Sequence, residues 1–373
     1  MEILQVDPAK RKQVRTFLNL PGRIYRDMPL WVPPLVGDER LRLDTKHYPF
    51  YKHSTAAFFL AIREDLPVGR LAVLNNHRHN EFNHTKEAFF YLFECDPDQE
   101  AACELFEAAF AWARERGLDR IVGPKGFTAL DGQGLLVKGF ERRPALGLPY
   151  NPPYYVELIE GLGFTKTCEI VSGYLGKNMQ FPERIHELAA RIRERRGLRI
   201  ARFRTRRELR GMLGHLKELY NGVLEGTDGG TPISDEEIQS LADQILWFAD
   251  PGLIKIVMKD EKPVGFLLAY PDISAALQKT HGRLFPFGWI TLLRELRRTD
   301  WININGAGMI EEYRGLGGAA ILYSEMFKSV VETPRYRHAE VVQIGLENAN
   351  MQRDMENFGV DFYKTHCVYE KSL

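Results

Sequence analysis

The chain has 373 residues, too long for one ordinary domain of roughly 100 to 200 residues, so two domains are expected. Hydrophobic content of 44% and aromatic content of 11% suffice for two cores, and 27% charged residues is ordinary for a folded chain, which excludes wholesale disorder. Lys+Arg and Asp+Glu balance at 50 each, so no global field selects nucleic acid or an anionic membrane, and small-molecule chemistry fits better. Cys95, Cys103, Cys168 and Cys367 lie far apart without a Cys-x-x-Cys pair, giving neither a disulfide framework nor a zinc knuckle; a cytoplasmic setting is expected. The N-terminus lacks a signal peptide's apolar run, and no stretch approaches the roughly 18 apolar residues of a membrane span.

In chain order, Phe58 to Leu74 reads as two strands around a polar turn, Phe89 to Cys95 as a strand, and Asp98 to Arg116 as a helix. Arg120 to Gly123 follows as a strand and Pro153 to Leu162 as a helix, closed by a β-rich run ending at Tyr174. Pro182 to Arg196 has a helical pattern ending at Gly197, which places a junction near the middle of the chain. The second half repeats the order. Leu198 to Arg204 is a strand, Glu208 to Leu224 a helix, and Ser234 to Phe248 a helix opened by the capping box Ser234/Glu237. A hairpin spans Leu253 to Tyr270, matching Phe58 to Leu74. After an insertion come a strand Trp301 to Met309, a helix Gly317 to Val331, a strand Ala339 to Leu346, a helix Asn348 to Phe358 and a last strand. Gly69 to Gly163 and Gly265 to Gly359 have the same spacing, a weak internal repeat. Cutting near residues 178 to 197 is expected to give two pieces, each with its own mixed sheet.

The sharpest local signal is GAGMIEEYRGLGGAAILYSEMF, where a strand leads into Arg314-Gly315-Leu316-Gly317-Gly318-Ala319 and directly into a helix. Glycines let the backbone approach a ligand, and free N–H groups at a helix N-terminus bind pyrophosphate. Leu322, Met326 and Val330, with Tyr323 and Phe327, give that helix a core face that mounts the loop. Arg314-x-x-Gly317-x-Ala319 resembles the R/Q-x-x-G-x-G/A motif with which acyltransferases of the GNAT superfamily hold the pyrophosphate of acyl-coenzyme A. The surroundings agree in order: Val264-Gly265 in the preceding hairpin, then Glu347-Asn348, Asn350 and Asn357-Phe358-Gly359.

This resemblance implies an α+β chain of two tandem GNAT domains, each a mixed central sheet flanked by helices. Residues 1–177 form an N-terminal domain with a degenerate cofactor loop, and residues 178–373 form a C-terminal domain with the acyl-CoA pyrophosphate loop. In the first half the loop position reads Glu94-Cys95-Asp96-Pro97-Asp98-Gln99, which lacks glycine and would repel a pyrophosphate. IYRDMPLWVPPL, GRLAVLNNHRHNEF, NPPYYVELIEGLGF and GRLFPFGW are similar to patches in a bacterial group of tandem GNAT-like proteins.

The implied activity is N-acylation, in which an amine attacks the thioester of acetyl-CoA or another acyl-CoA directly in a ternary complex. The implied roles are backbone N–H groups at Met309 and Ile310 toward the thioester, Arg314, Gly315, Leu316, Gly317, Gly318 and Ala319 at the pyrophosphate, and Asn348 at the pantetheine arm. The family's usual tyrosine acid falls on Met355, so Tyr363 or Tyr369 would substitute, with Glu347 as base through a water. The acceptor is a small-molecule or peptide amine. No nucleic acid, integral membrane segment or metal is expected, and a homodimer is left open. The alternative is a non-catalytic acyl-CoA-binding or sensing protein.

Three other features have ordinary readings. His77-x-His79-x4-His84 reads as solvated or hydrogen-bonded histidines rather than a metal site. The ten arginines between Arg191 and Arg210 read as a charged helix face and edge strand. HGRLFPFGWITLLRELRR reads as core or dimer packing rather than a membrane-surface helix. A Rossmann reading of Gly306-Ala307-Gly308 fails because Glu311 stands where the third glycine is needed.

Overall fold

The computed structural model describes residues 1–128, 131–176, 183–224, 230–314, 319–331, 335–345, 355–356 and 359–373. In the first half the strands are β1 (Glu2–Gln5), β2 (Thr55–Arg63), β3 (Leu66–Asn75), β4 (Glu87–Cys95), β5 (Arg120–Gly123), β6 (Leu135–Lys138) and β7 (Thr165–Gly176). The second half supplies β8 (Leu198–Ala201), β9 (Lys255–Lys259), β10 (Lys262–Pro271), β11 (Trp301–Met309), β12 (His338–Gly345) and β13 (Asp361–Ser372).

All thirteen join one sheet in the order β1-β2-β3-β4-β5-β13-β7-β12-β11-β10-β9-β8, with β6 beside β13. The arrangement is mixed α+β, as expected. Its two parallel pairs, β4–β5 and β11–β12, occupy matching places on either side of the central β13–β7 pair. The internal repeat extends to irregularities. Opposite Leu71, β4 carries the extra residue of a bulge at Leu92–Phe93, and opposite Leu268, β11 carries one at Asn305–Gly306.

The sheet is continuous across both halves, unlike the separate sheets expected, because the closing strands are exchanged. β13, from the end of the chain, pairs with β5 of the first half, and β7 pairs with β12 of the second. The β-branched and aromatic residues that make these runs strands therefore fill the other half's core. Cys367 and Tyr369 are buried beneath the Gln99–Arg114 helix, and Val171 and Leu175 are buried beneath the Ala319–Val331 helix.

The connecting segments differ from the sequence reading in four places. Thr205 caps a new helix by accepting from the Glu208 N–H, so the strand from Leu198 stops at Ala201. Met212 then separates Arg206–Gly211 from Leu213–Leu224. His77–Asn83 is helical, capped by the Asn76 side chain. Helices Arg11–Ile24 and Val36–Arg42 were not expected; the first is helical despite Pro21 because its buried face of Val14, Phe17 and Leu20 packs on the sheet. The linker reads correctly as a helix, Glu183–Arg196, and lies over Ala319–Val331 through His186 to Ser324 at 2.7 Å and Arg193 to Glu325 at 3.7 Å.

Further clamps join the halves around their rim. Glu237 accepts from Arg78 at 2.8 Å and lies 2.9 Å from His53 Nε2, and His79 Nδ1 lies 2.9 Å from Thr231 Oγ1. At the other end, the Val36 N–H donates to the Gly282 carbonyl. Gly282 has φ +70°, and a Cβ there would sit 1.9 Å from the Pro34 carbonyl oxygen, so only glycine permits this approach.

The division into units 1–177 and 178–373 is a proposal, and the exchange determines how it is tested. Four buried side chains worth about 1.5 to 3 kcal/mol each rival the typical stability of a whole domain, about 5 to 15 kcal/mol. Each piece expressed alone should be insoluble or lack a cooperative transition, whereas the two co-expressed should purify as one complex. A cooperative melt from either piece alone would show that the exchanged strands are dispensable.

His366, fully buried on β13, gives a second test. Its Nε2 lies 3.1 Å from the Pro149 carbonyl and its Nδ1 has no partner, so the ring is held neutral and burial depresses its pKa from 6.5 to about 4. The unfolded chain takes up a proton near pH 6.5 that the folded chain refuses. Stability from this residue is therefore complete above pH 6.5 and is lost as the pH falls toward 4, by about 3 kcal/mol in all. Urea midpoints between pH 7 and 4.5 should fall more steeply for the parent than for His366→Gln, which keeps a donor for Pro149; parallel curves would contradict a buried neutral ring.

Candidate functional site

In the second half, β11 and β12 pair only from Trp301/His338 to Ile304/Val341 and then part. β11 continues along β10 as far as Met309, leaving an opening on the side that β12 has left. Gly265 opposite Met309 admits the methionine: a Cβ there would lie 2.0 Å from Met309 Sδ. The Met309 side chain thus packs into the core, 5% exposed. The Ile310 N–H is already spent on the Val264 carbonyl at 3.0 Å. By strand alternation the Met309 N–H points away from β10, into the opening. Of the two residues expected there, Met309 is the one whose N–H lies on the side away from β10.

Arg314 is tied to backbone. Its Nε donates to the Met309 carbonyl at 3.0 Å and its guanidinium also to the Val223 carbonyl, so it braces the turn after β11 against helix Leu213–Leu224. Gly315, Leu316, Gly317 and Gly318 lie outside the described residues, as do Glu347 and Asn348. The helix that follows begins at Ala319. Its expected core residues Leu322, Tyr323, Met326, Phe327 and Val330 are all buried. In the chain, a braced turn precedes residues 315–318 and a buried helix follows them.

The corresponding place in the first half is filled by the chain itself. Asp98 accepts from the Ala101 N–H at 3.1 Å as cap of helix Gln99–Arg114 and pairs with Arg63 at 2.8 Å, while Asp96 pairs with Arg23 at 2.8 Å. A phosphate there would have to displace two carboxylates. Glu94 is half-buried and accepts from the Tyr155 hydroxyl at 2.8 Å; desolvation pushes its carboxyl up.

The acid–base candidates are scattered. Met355 is 1% exposed inside the second-half core, so that position faces no opening. Tyr369 is buried in the first half, its hydroxyl 3.3 Å from Glu160. Tyr363 stands at a bulge of β13 beside a buried ion pair, Lys364 with Glu340 at 2.6 Å. Burial raises its phenol, and Glu340 raises it further. The Lys364 ammonium also donates to the Arg143 carbonyl at 2.7 Å, and Arg143 pairs with Asp272 at 2.8 Å, so this polar group ties the halves together.

Sequence reasoning missed a cavity of about 270 Å³ between the halves. Both bulges reach it: Leu92 and Phe93 from β4, and Asn305 from β11, with Tyr270 bonded to Asn305. Its wall is formed by Tyr25 and Trp31, stacked at 4.6 Å, and by Pro33 and Pro34, all within the patch IYRDMPLWVPPL. That aromatic and proline-rich run was the available signal. Arg42 joins Glu39 to Asp131 in the same wall.

With this geometry, the fold is that of tandem GNAT proteins. The tandem GNAT protein from the clavulanic acid biosynthesis pathway superposes with a TM-score of 0.56 at 12% identity, over 100% of this chain and 98% of that one. A GCN5-related N-acetyltransferase from Anabaena variabilis matches with a TM-score of 0.53 at 10% identity, over 99% of this chain and 72% of that one. No protein-family model matches the chain. In sequence it is similar to Protein YghO of Escherichia coli K12, 26% identical over 370 residues, 97% of this chain and 94% of that protein. It is likewise similar to the bacterial ceramide synthase of Caulobacter vibrioides, 27% identical over 380 residues, 99% of this chain and 98% of that protein. Among the described residues no helix is long and apolar enough to cross a membrane.

Proposed function

We propose that the chain is an acyl-coenzyme A-dependent N-acyltransferase whose acceptor is an amine on a long apolar chain. The carrying observation is the opening between β11 and β12, with the Met309 N–H turned into it and a buried helix beginning directly after the glycine segment. The matching place in the first half is closed by Asp96 and Asp98, which supports one donor site per chain.

The residues fit the donor. Glycines 315, 317 and 318 are assigned to the pyrophosphate, since glycine leaves backbone N–H groups uncovered and the helix that begins at Ala319 offers its positive end to an anion. Asn348 is assigned to the pantetheine arm. The Met309 N–H is placed to stabilise negative charge developing on the thioester oxygen as the amine attacks, the type of preorganised donor that contributes most to such reactions. Arg314 acts indirectly, by fixing Met309 and the turn. Glu347 is assigned as base through a water and Tyr363 as acid. The ceramide synthase relative supports the acceptor class, since a ceramide is an amide of a fatty acid and a long-chain amino alcohol. The aromatic walls of the cavity between the halves suit such a chain. A second reading, acyl-CoA binding without turnover, is favoured by one observation: Met355 is buried where an acid would stand.

Calorimetry should show one coenzyme A per chain. Gly317→Glu places bulk and charge against a phosphate; losing two charge-assisted hydrogen bonds should weaken binding by about 10² to 10⁴-fold. Folding should suffer less, since a carboxylate is tolerated at a helix N-terminus. A folded Gly317→Glu that binds as tightly as the parent would remove the donor assignment. Amide product by mass spectrometry from acyl-CoA and sphinganine separates the enzyme from the sensor.

A further inference from the structure

Glu39 and Arg70 stand where the cavity described above meets a second one, of about 570 Å³, and line both. Glu39 is 4% exposed; its Oε1 is bound by Arg42, and its Oε2 has no partner. Arg70 is 3% exposed; it donates to the Phe17 carbonyl at 3.1 Å, its guanidinium lies 3.6 Å from Glu94, and its Nε–H has no partner. Thr128, on the wall of the first cavity, also carries a buried hydroxyl without a partner.

A buried polar atom left unpaired costs about 1 to 3 kcal/mol, more when charged, so natural interiors keep few of them. Of five such side-chain atoms among the described residues, three belong to the walls of this one cavity. Their chemistry defines the ligand. A carboxylate oxygen asks for a donor, and a guanidinium N–H asks for an oxygen. Four carboxyl groups, Asp38, Glu39, Glu94 and Asp131, face two arginines, Arg42 and Arg70, which favours a cation. We propose that this junction holds the head of a primary amino alcohol, its ammonium or hydroxyl hydrogen on Glu39 Oε2 and its oxygen on the Arg70 Nε–H, with its chain against Tyr25, Trp31 and Phe248. The cavity reaches β11 at Asn305, four residues before Met309, which leads the acceptor toward the donor opening. The amine class rests on the acyltransferase reading; the polar complement does not.

The test is equilibrium binding of radiolabelled sphinganine in detergent micelles to the full chain without any acyl-CoA. Glu39→Gln removes the charged acceptor and should weaken binding by about tenfold or more, while coenzyme A affinity by calorimetry stays within about two-fold. Because Glu39→Gln also disturbs Arg42, Leu241→Trp is the companion variant: it adds bulk at a lining residue of the second half that is not itself a member of the Arg42–Glu39–Asp131 network, and should likewise weaken sphinganine binding. Unchanged sphinganine binding in both folded variants, or none by the folded parent, overturns the site. A parent that makes amide while both variants bind sphinganine normally loses this inference and keeps the acyltransferase. A parent that binds sphinganine through Glu39 but never binds coenzyme A keeps the site and loses the acyltransferase.

The segment expected to be core or dimer packing carries a second, independent inference. Phe285, Phe287, Trp289 and Leu293 are 85%, 73%, 46% and 43% exposed, half of all the large hydrophobics exposed among the described residues. Arg283, Arg294, Arg297 and Arg298 are exposed on the same stretch. Aromatic residues ringed by arginines match an anionic bilayer surface, and Arg283 lies on the wall of the second cavity. We infer that this segment docks the protein on an anionic membrane with the cavity mouth toward the lipid. In flotation assays the protein should bind vesicles containing phosphatidylglycerol and leave those of pure phosphatidylcholine. A triple variant, Phe285→Ser, Phe287→Ser and Trp289→Ser, should reduce binding by about tenfold or more without lowering the melting temperature. If the parent ignores both vesicles and instead forms a dimer that the triple variant abolishes, the surface is an interface between two copies and the membrane assignment falls.

Discussion

The exchange of β7 and β13 is the constraint on which the remaining architecture depends. With β13 inserted between β5 and β7, the two halves cannot rotate or part without breaking main-chain ladders on both sides of it. Two swapped strands thus convert a tandem repeat into one rigid sheet with a central seam. The seam also carries ionised groups: Lys364 on β13 holds Glu340 on β12 and the Arg143 carbonyl, and Arg143 holds Asp272. Such a buried network adds little net stability, but it specifies register, because any slip of β13 would strand a buried ammonium.

A fixed seam brings the two bulges into one space. Each half bends its sheet at the same point, Leu92–Phe93 in one and Asn305–Gly306 in the other, and both bends reach the cavity between them. The repeats have then diverged. One has filled its loop with Asp96 and Asp98 and matched them with Arg23 and Arg63, while the other has kept glycines beside a helix N-terminus. On the proposed reading, one repeat holds the donor and the closed loop of the other leaves a cleft facing it. The proposed two-substrate reaction would use that cleft as the wall of the acceptor's route.

Much of the fold was legible in the sequence, because strands and helices in the second half follow the hydrophobic period with little interference. Ser234 and Glu237 announced their helix and do form a capping box. The Trp301 to Met309 strand was read to its exact ends. What stayed hidden was relational. Nothing in the residues of β7 and β13 distinguishes pairing within a half from pairing across halves, since either way the same run, Ile170–Gly173 in one and His366–Tyr369 in the other, is buried. Helix Arg11–Ile24 was not read from the sequence; it forms with Pro21 inside because its buried face packs on the sheet. The site divides the same way. A contiguous motif marked Met309 and Arg314, whereas Glu39, Arg70 and Asn305 come together only through folding and carry no local pattern.

The charges around the cavity are too expensive to be a stabilising device. Arg42 pairs with the buried Glu39 and Asp131, yet one oxygen of Glu39 and one nitrogen of Arg70 are left over. A purely structural network would have closed on itself, because replacing a buried ion pair by apolar residues of the same shape is often neutral or stabilising. Retaining donors and acceptors without a protein partner beside an apolar wall costs folding free energy, which supports the proposal that the cleft is built for a ligand. The ligand proposed for this two-bulge cleft would return that cost by presenting a donor and an oxygen at one end and a hydrocarbon surface at the other.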